Sequence, residues 1–197
     1  MIEKYKRYIQ LITSGLLNKY FEQQKDYIHC KSGCSFCCES GQYPYSAVEF
    51  QYLMLGYDSL SEEEKEIVQS NVKKIKIEKE KYTGDAFMHE CPFLVDKKCS
   101  VYLHRGIICR THGLLYFVNE KGGKSKNKAP NCVNFGLNYS NVFDPKLGII
   151  SQELLEKSGI ETKPVAYNIG LKALLNNVLA TELELEFGEE RALIDWF

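Results

Sequence analysis

The run "HCKSGCSFCC" at residues 29–38 packs four of the chain's eight cysteines into nine residues, and this crowding constrains the chain more than any other feature. Thiols so placed can pair as disulfides, attack as nucleophiles or hold metal. A disulfide framework belongs to short exported chains, whereas 197 residues can build a core without staples. The N-terminal "MIEKYKRYIQLITSGLLNKYF" carries charge on both sides of a short apolar run, with Lys19 where a small-residue cleavage site would have to follow, so no export signal is read. The expected compartment is the cytoplasm, which keeps thiols reduced. A nucleophilic cysteine needs one copy and a basic partner, so four in nine residues argue for coordination.

Cys30, Cys34, Cys37 and Cys38 form C-x3-C-x2-C-C. The Cys34/Cys37 spacing lets two sulfurs meet on one ion while turn N–H groups offset their charge. Adjacent residues of an extended chain point to opposite sides, so Cys37 and Cys38 are expected to serve two metal positions, or one to bind while the other packs. Cys91, Cys99, Cys109 and Cys132 are dispersed and gain meaning only as partners of the first cluster. Eight thiols allow two tetrathiolate sites, or one site and four spare cysteines. Zinc and iron-sulfur centres both accept four thiolates. Radical enzymes using S-adenosylmethionine share C-x3-C-x2-C, but they place it after the first strand of a barrel of strand-helix repeats. Here a long helix is expected before it, and no such repeat follows.

A thiolate site carries negative charge, and Arg105, Arg110 and Lys31 lie in the right segments to balance it from beside the ligands without binding the metal themselves. His29, His89 and His112 lie within three residues of a cysteine and remain candidate ligands, with Cys109-Arg110-Thr111-His112 the pair of first interest. "EKGGK" lacks the spacing of a phosphate-binding loop. Lys+Arg of 25 against Asp+Glu of 26 gives net charge −1, which disfavours nucleic acid and anionic membrane as partners. No window nears the roughly 18 apolar residues of a membrane-spanning helix.

Around the cysteines, Ile2, Tyr5, Ile9, Ile12, Leu16 and Tyr20 predict one helix over residues 2–27, weakened but not ended at Gly15. Capping boxes at Ser46–Glu49 and Ser61–Glu64 predict helices stopping at Gly56 and near Tyr82, the second with an apolar face of Ile67, Val68, Val72 and Ile75 and a solvated "VKKIKIEKEK" run. Asp96-Lys97-Lys98 is read as the turn of a short hairpin, "LLYFV" as a strand and "NEKGGKSKNK" as an exposed loop. Pro164 is expected to open a C-terminal helix burying Val165, Ile169, Leu174, Leu175, Val178 and Leu179. The expected architecture is α-rich α+β in a single domain, 1–197. An irregular cysteine-rich metal-binding core with short β-hairpins (30–135) is packed by supporting helices at 1–29 and 140–197.

"CKSGCSFCC", then "CPFLVDKKCSVYLHRGIICR", then "PNC" together resemble the zinc- or iron-chelating cysteine-cluster proteins often called YkgJ-like, over roughly residues 30–135. The family opens more often with C-x2-C, and it usually has Pro where this chain has Gly106, implying a looser turn with no ligand lost. The resemblance implies a metal or iron-sulfur centre, [4Fe-4S] or alternatively Zn2+, held by Cys30, Cys34, Cys37, Cys38, Cys91, Cys99, Cys109 and Cys132. One branch of the family looks like flagellin lysine N-methylases, which extends S-adenosylmethionine-dependent methyl transfer to this chain by analogy only. The leading expectation is electron transfer, or the redox core of a modifying enzyme, with a redox or protein partner. A zinc-folded interaction module is the alternative.

Overall fold

Periodic apolar residues build α1 (Ile2–Ile12), which passes through a π-helical turn at Thr13–Leu17 into α2 (Asn18–Gln23) and a closing 3-10 turn at Lys25–Tyr27. The computed structural model describes residues 1–31, 33–119 and 125–197, and the whole of "EKGGK" lies outside the described residues. The π turn adds one residue to the helical repeat, so the stripe steps from Ile12 to Leu17, 2 % exposed, and Leu16 turns outward at 39 %. The expected Leu16 contact is thereby corrected by one position.

A single helical turn, α3 (Phe36–Glu39), carries the two adjacent cysteines into β1 (Pro44–Ser46). The two capping boxes are both present. They open α4 (Ala47–Asp58), two residues longer than expected, and α5 (Glu62–Glu80). Glu49 is fully buried and does more than cap: it accepts from Ser46 N (3.0 Å), Ser46 Oγ (2.8 Å), Tyr5 Oη (3.2 Å) and Ile107 N (2.9 Å). One carboxylate thus ties α1 and α4 to the start of α6 (Ile107–Thr111), against a desolvation that raises its pKa.

Before α6 comes the expected hairpin, β2 (Leu94–Val95) with β3 (Lys98–Cys99), turning through Asp96 and Lys97 at φ +48° and +61°. Both central residues lie in the left-handed region, as a two-residue hairpin turn with right-twisted strands requires. After α6, β4 (Tyr116–Asn119) pairs with β5 (Ser125–Lys128), so the end of the expected loop is an exposed strand. A further hairpin, β6 (Phe143–Asp144) with β7 (Ile149–Ile150), leads to α7 (Gln152–Ser158), capped by Ser151.

The C-terminal helix expected from Pro164 does not form there. Val165 N–H donates to Gln24 Oε1 at 2.9 Å, and Tyr167 exchanges backbone bonds with Leu115 and Phe117, so residues 164–170 run extended. Tertiary partners satisfy this backbone and override the helical period. Helix appears only in two short pieces, α8 (Leu171–Leu175) and α9 (Val178–Glu182), leaving Val165 and Val178 exposed. The chain ends with β8 (Glu190–Ala192) on β1.

The described residues are about half helical, with four two-stranded antiparallel sheets: an α+β architecture in which no sheet grows beyond a ribbon. Three apolar clusters fill it. The first joins α1, α4, α8 and α9. The second lies between α4, α5, the β2–β3 hairpin and the C-terminal residues, and the third surrounds Tyr27, Leu115, Val133 and Tyr139. No helix of the described residues is long and apolar enough to cross a membrane.

Candidate metal centre

All eight cysteines are free, and seven of them line one cavity of about 920 Å³. Cys30 and Cys34 approach it from the turn before α3. There Cys34 N–H donates to Lys31 O at 3.0 Å, and Gly33, at φ +85°, supplies the left-handed residue that admits the longer opening spacing. Cys37 and Cys38 lie side by side on α3 with sulfurs 3.9 Å apart. They are helical, not extended, so their side chains diverge by about 100° rather than pointing to opposite faces.

Cys91 and Cys99 come from the hairpin segment, which is fastened to α3 by Cys91 N–H donating to Cys38 O at 2.8 Å. Each thiol also accepts a backbone N–H from two residues ahead, Phe93 for Cys91 and Val101 for Cys99. Such N–H···S bonds favour thiolate over thiol. Cys109 arrives on α6, its Sγ 3.4 Å from Tyr45 Oη. Cys132 does not reach the cavity wall. It stands beside Cys30, and Asn138 serves both: the Asn138 amide donates to Cys30 Sγ at 3.2 Å, and its backbone N–H donates to Cys132. Gly113, at φ +102°, leaves room for this contact, since a Cβ there would sit 2.7 Å from Asn138 Nδ2.

Gly106 is a point of tight approach rather than looseness. Its N–H donates to Tyr45 Oη at 3.0 Å, and an added Cβ would meet the Tyr45 ring at 2.8 Å. Because Tyr45 Oη accepts from Gly106, its own proton is free for Cys109. Proline at this position could not make that bond.

Among the described residues, five cations face the cavity, Lys31, Lys97, Lys98, Arg105 and Arg110, and no Asp or Glu is on its wall. Lys97 pairs with Glu39 at 2.9 Å, whereas neither arginine has a carboxylate partner among the described residues. Arg110 donates to Arg105 O (3.1 Å) and Leu103 O (2.8 Å), and the Arg105 guanidinium lies 3.8 Å over the Tyr102 ring with its buried Nε unpartnered. Tyr43 Oη, on the same wall, is also buried without a partner.

Burial pushes Cys109 up to about 12 and Cys132 up to about 11, and raises Cys91, Cys99 and Cys30, the last against the Asn138 bond. Cys37 is the exception, lowered to about 7 because Cys38 donates to it, with Arg105 assisting against desolvation; Cys38 is raised by the same bond. His112 lines the cavity and opens to its solvent, its imidazole held low by the surrounding walls and by Arg105. His29 is exposed, and His89 is buried between Phe87 and Tyr43, off the cavity wall.

The donor set is soft sulfur without oxygen ligands, which fits zinc or an iron-sulfur cluster and not calcium or magnesium. The unpartnered Arg105 Nε and Tyr43 Oη fit an anionic, sulfur-rich occupant. Among the described residues, no three His, Cys, Asp or Glu side chains are gathered within range of one ion, so the thiols ring a volume instead of converging on a point. Sequence reasoning missed Tyr43, Tyr45 and Asn138. Nothing local marks them, since they meet the sulfurs only through the fold.

Residues 29–133, just over half of the chain, match the family model CxxCxxCC, described as "Putative zinc- or iron-chelating domain". No curated protein and no solved structure matches the chain.

Proposed function

Because the chain belongs to the CxxCxxCC family of zinc- or iron-chelating domains, we propose that its thiol-lined cavity is the seat of a cysteine-ligated iron-sulfur centre, used in electron transfer or as the redox core of a modifying enzyme in the cytoplasm. The observation that carries this reading is one cavity wall that has, among the described residues, seven thiols, five cations and no carboxylate, in a chain whose net charge is −1. A tetrathiolate zinc site with Zn–S near 2.3 Å needs sulfurs about 3.8 Å apart. Thiols spread around about 920 Å³ suit a larger inorganic core.

When bound, such a centre supplies one-electron chemistry at a potential set by cluster type, charge, hydrogen bonds to sulfur and exposure. The chain's own contributions follow from the geometry. Arg105 and Arg110, on the cavity wall beside the sulfurs, would offset negative charge there, and Tyr45, Asn138 and the Phe93 and Val101 N–H groups would donate to individual thiolates. The apolar wall of Leu53, Phe93, Leu94 and Val101 limits water. The metal-binding core and its flanking helices are read as one unit.

An oxygen-free preparation tests this directly. A coloured protein containing iron and acid-labile sulfide is the expected result. A colourless protein carrying zinc alone would replace the redox role with a structural one, and chelation would then unfold residues 30–132.

A further inference from the structure

We propose that the cavity carries, apart from its thiols, a binding site for a small organic carboxylate, built by Thr13, Leu17, Asn18 and Phe21 on one side and by Arg105 and His112 on the other. The site goes beyond the metal centre and does not depend on it, since none of these six residues is a cysteine.

All six stand on the cavity wall, and the fold brings them to one end of it. The π turn at Thr13–Leu17 packs on α6, with Leu17 and Ile107 in the first apolar cluster. His112 directly follows α6, and Phe21 reaches the residue after it: a Cβ on Gly113 would sit 3.8 Å from Phe21 Cε1. Arg105 stands just before α6, and Arg110, on that helix, holds its turn by donating to Leu103 O and Arg105 O.

Two buried polar atoms at this end lack partners. Arg110 is committed to backbone carbonyls, whereas Arg105 Nε is buried with no partner. Thr13 Oγ1 is buried without one as well. A helical threonine hydroxyl commonly bonds a carbonyl of the preceding turn. This one does not, and it opens a π turn, an irregularity that helices carry most often at functional sites. Buried donors of this kind are destabilising until an acceptor arrives, and an organic carboxylate offers acceptors to both.

The guanidinium fork matches the two oxygens of a carboxylate, and among the described residues no Asp or Glu on the wall competes for it. Arg105 would therefore serve two neighbours, the sulfurs whose charge it offsets and the ligand. Asn18 and His112 add exposed polar groups, and Leu17 and Phe21 offer apolar surface to the body of the molecule. The volume of about 920 Å³ lies within the roughly 300–1,000 Å³ of pockets that hold organic ligands. An inorganic core bonded at metal–sulfur lengths of about 2.3 Å leaves much of it open.

The full chain, purified without oxygen, is titrated by saturation-transfer NMR and calorimetry with a panel of small aliphatic and aromatic carboxylates, their primary amides and inorganic phosphate. Carboxylates should bind at least about tenfold more tightly than the matching amides, because only the ionised group makes charge-assisted bonds with Arg105. Arg105→Gln should weaken carboxylate binding by at least about tenfold, and Thr13→Val by about 2- to 10-fold with metal content unchanged. Valine keeps the shape of threonine, so a purely structural Thr13 would leave binding unaltered. The amide comparison needs no substitution and decides the matter even where Arg105→Gln fails to fold. Equal binding of acid and amide, equal competition by inorganic phosphate, no binding by any member of the panel, or parental binding in Thr13→Val each overturns the proposal while leaving the metal centre standing. A chain that binds carboxylates and holds no metal overturns the metal centre and leaves this site in place.

Discussion

Burial sets the direction for most of the cavity sulfurs, and single hydrogen bonds act against or with it one sulfur at a time. Tyr45 is the clearest case: Gly106 occupies the phenol's acceptor side, which aims its proton at Cys109. Tyr45→Phe keeps the ring in its pocket but removes that donor and orphans the Gly106 N–H. Loss of such outer partners typically weakens metal binding by about 10- to 100-fold. The predicted result is weaker metal retention, read by chelator competition, with the fold intact by circular dichroism. Unchanged retention would mean that the phenol serves packing alone. The expectation of a loose turn at Gly106 failed because the partner that makes it tight is 61 residues away in sequence.

Among the elements, the N-terminal helix shows most plainly what pattern can and cannot specify. Its existence and its apolar face follow from the period of the apolar residues. Its phase after Ile12 does not, because a π turn changes the count of residues per turn. Leu17 is 2 % exposed and Leu16 39 %, so Leu17→Ala should cost about 2–5 kcal/mol and Leu16→Ala no more than about 1 kcal/mol. Urea denaturation of both variants checks this, and equal losses would contradict the shifted stripe. The capping boxes were legible because every partner lies within three residues. The C-terminal segment was misread because its backbone is satisfied by the Gln24 side chain and by residues 115–117, far away in the sequence.

Across the whole molecule, burial pushes most of the cavity thiols up, Cys109 to about 12, and it pushes Cys132, beside the cavity, up to about 11. A metal must displace the thiol protons to bind thiolates. Falling pH therefore opposes uptake and rising pH favours it, throughout the neutral range that lies below these values. Apparent Zn2+ affinity should rise by at least about tenfold per pH unit, with proton release measurable in weakly buffered solution. A flat profile would mean that the thiols enter the site already ionised.

The crowding of the cysteines pointed to coordination, the run of motifs carried the resemblance to the zinc- or iron-chelating family that residues 29–133 match, and the local capping patterns marked α4 and α5. Residue type and near-neighbour spacing are properties of the sequence alone. Which sulfurs share a wall, which sink into a core, and which phenol, amide or guanidinium faces each one are matters of long-range packing. Those contacts join residues dozens to more than a hundred positions apart, and only the folded chain brings them within bonding distance.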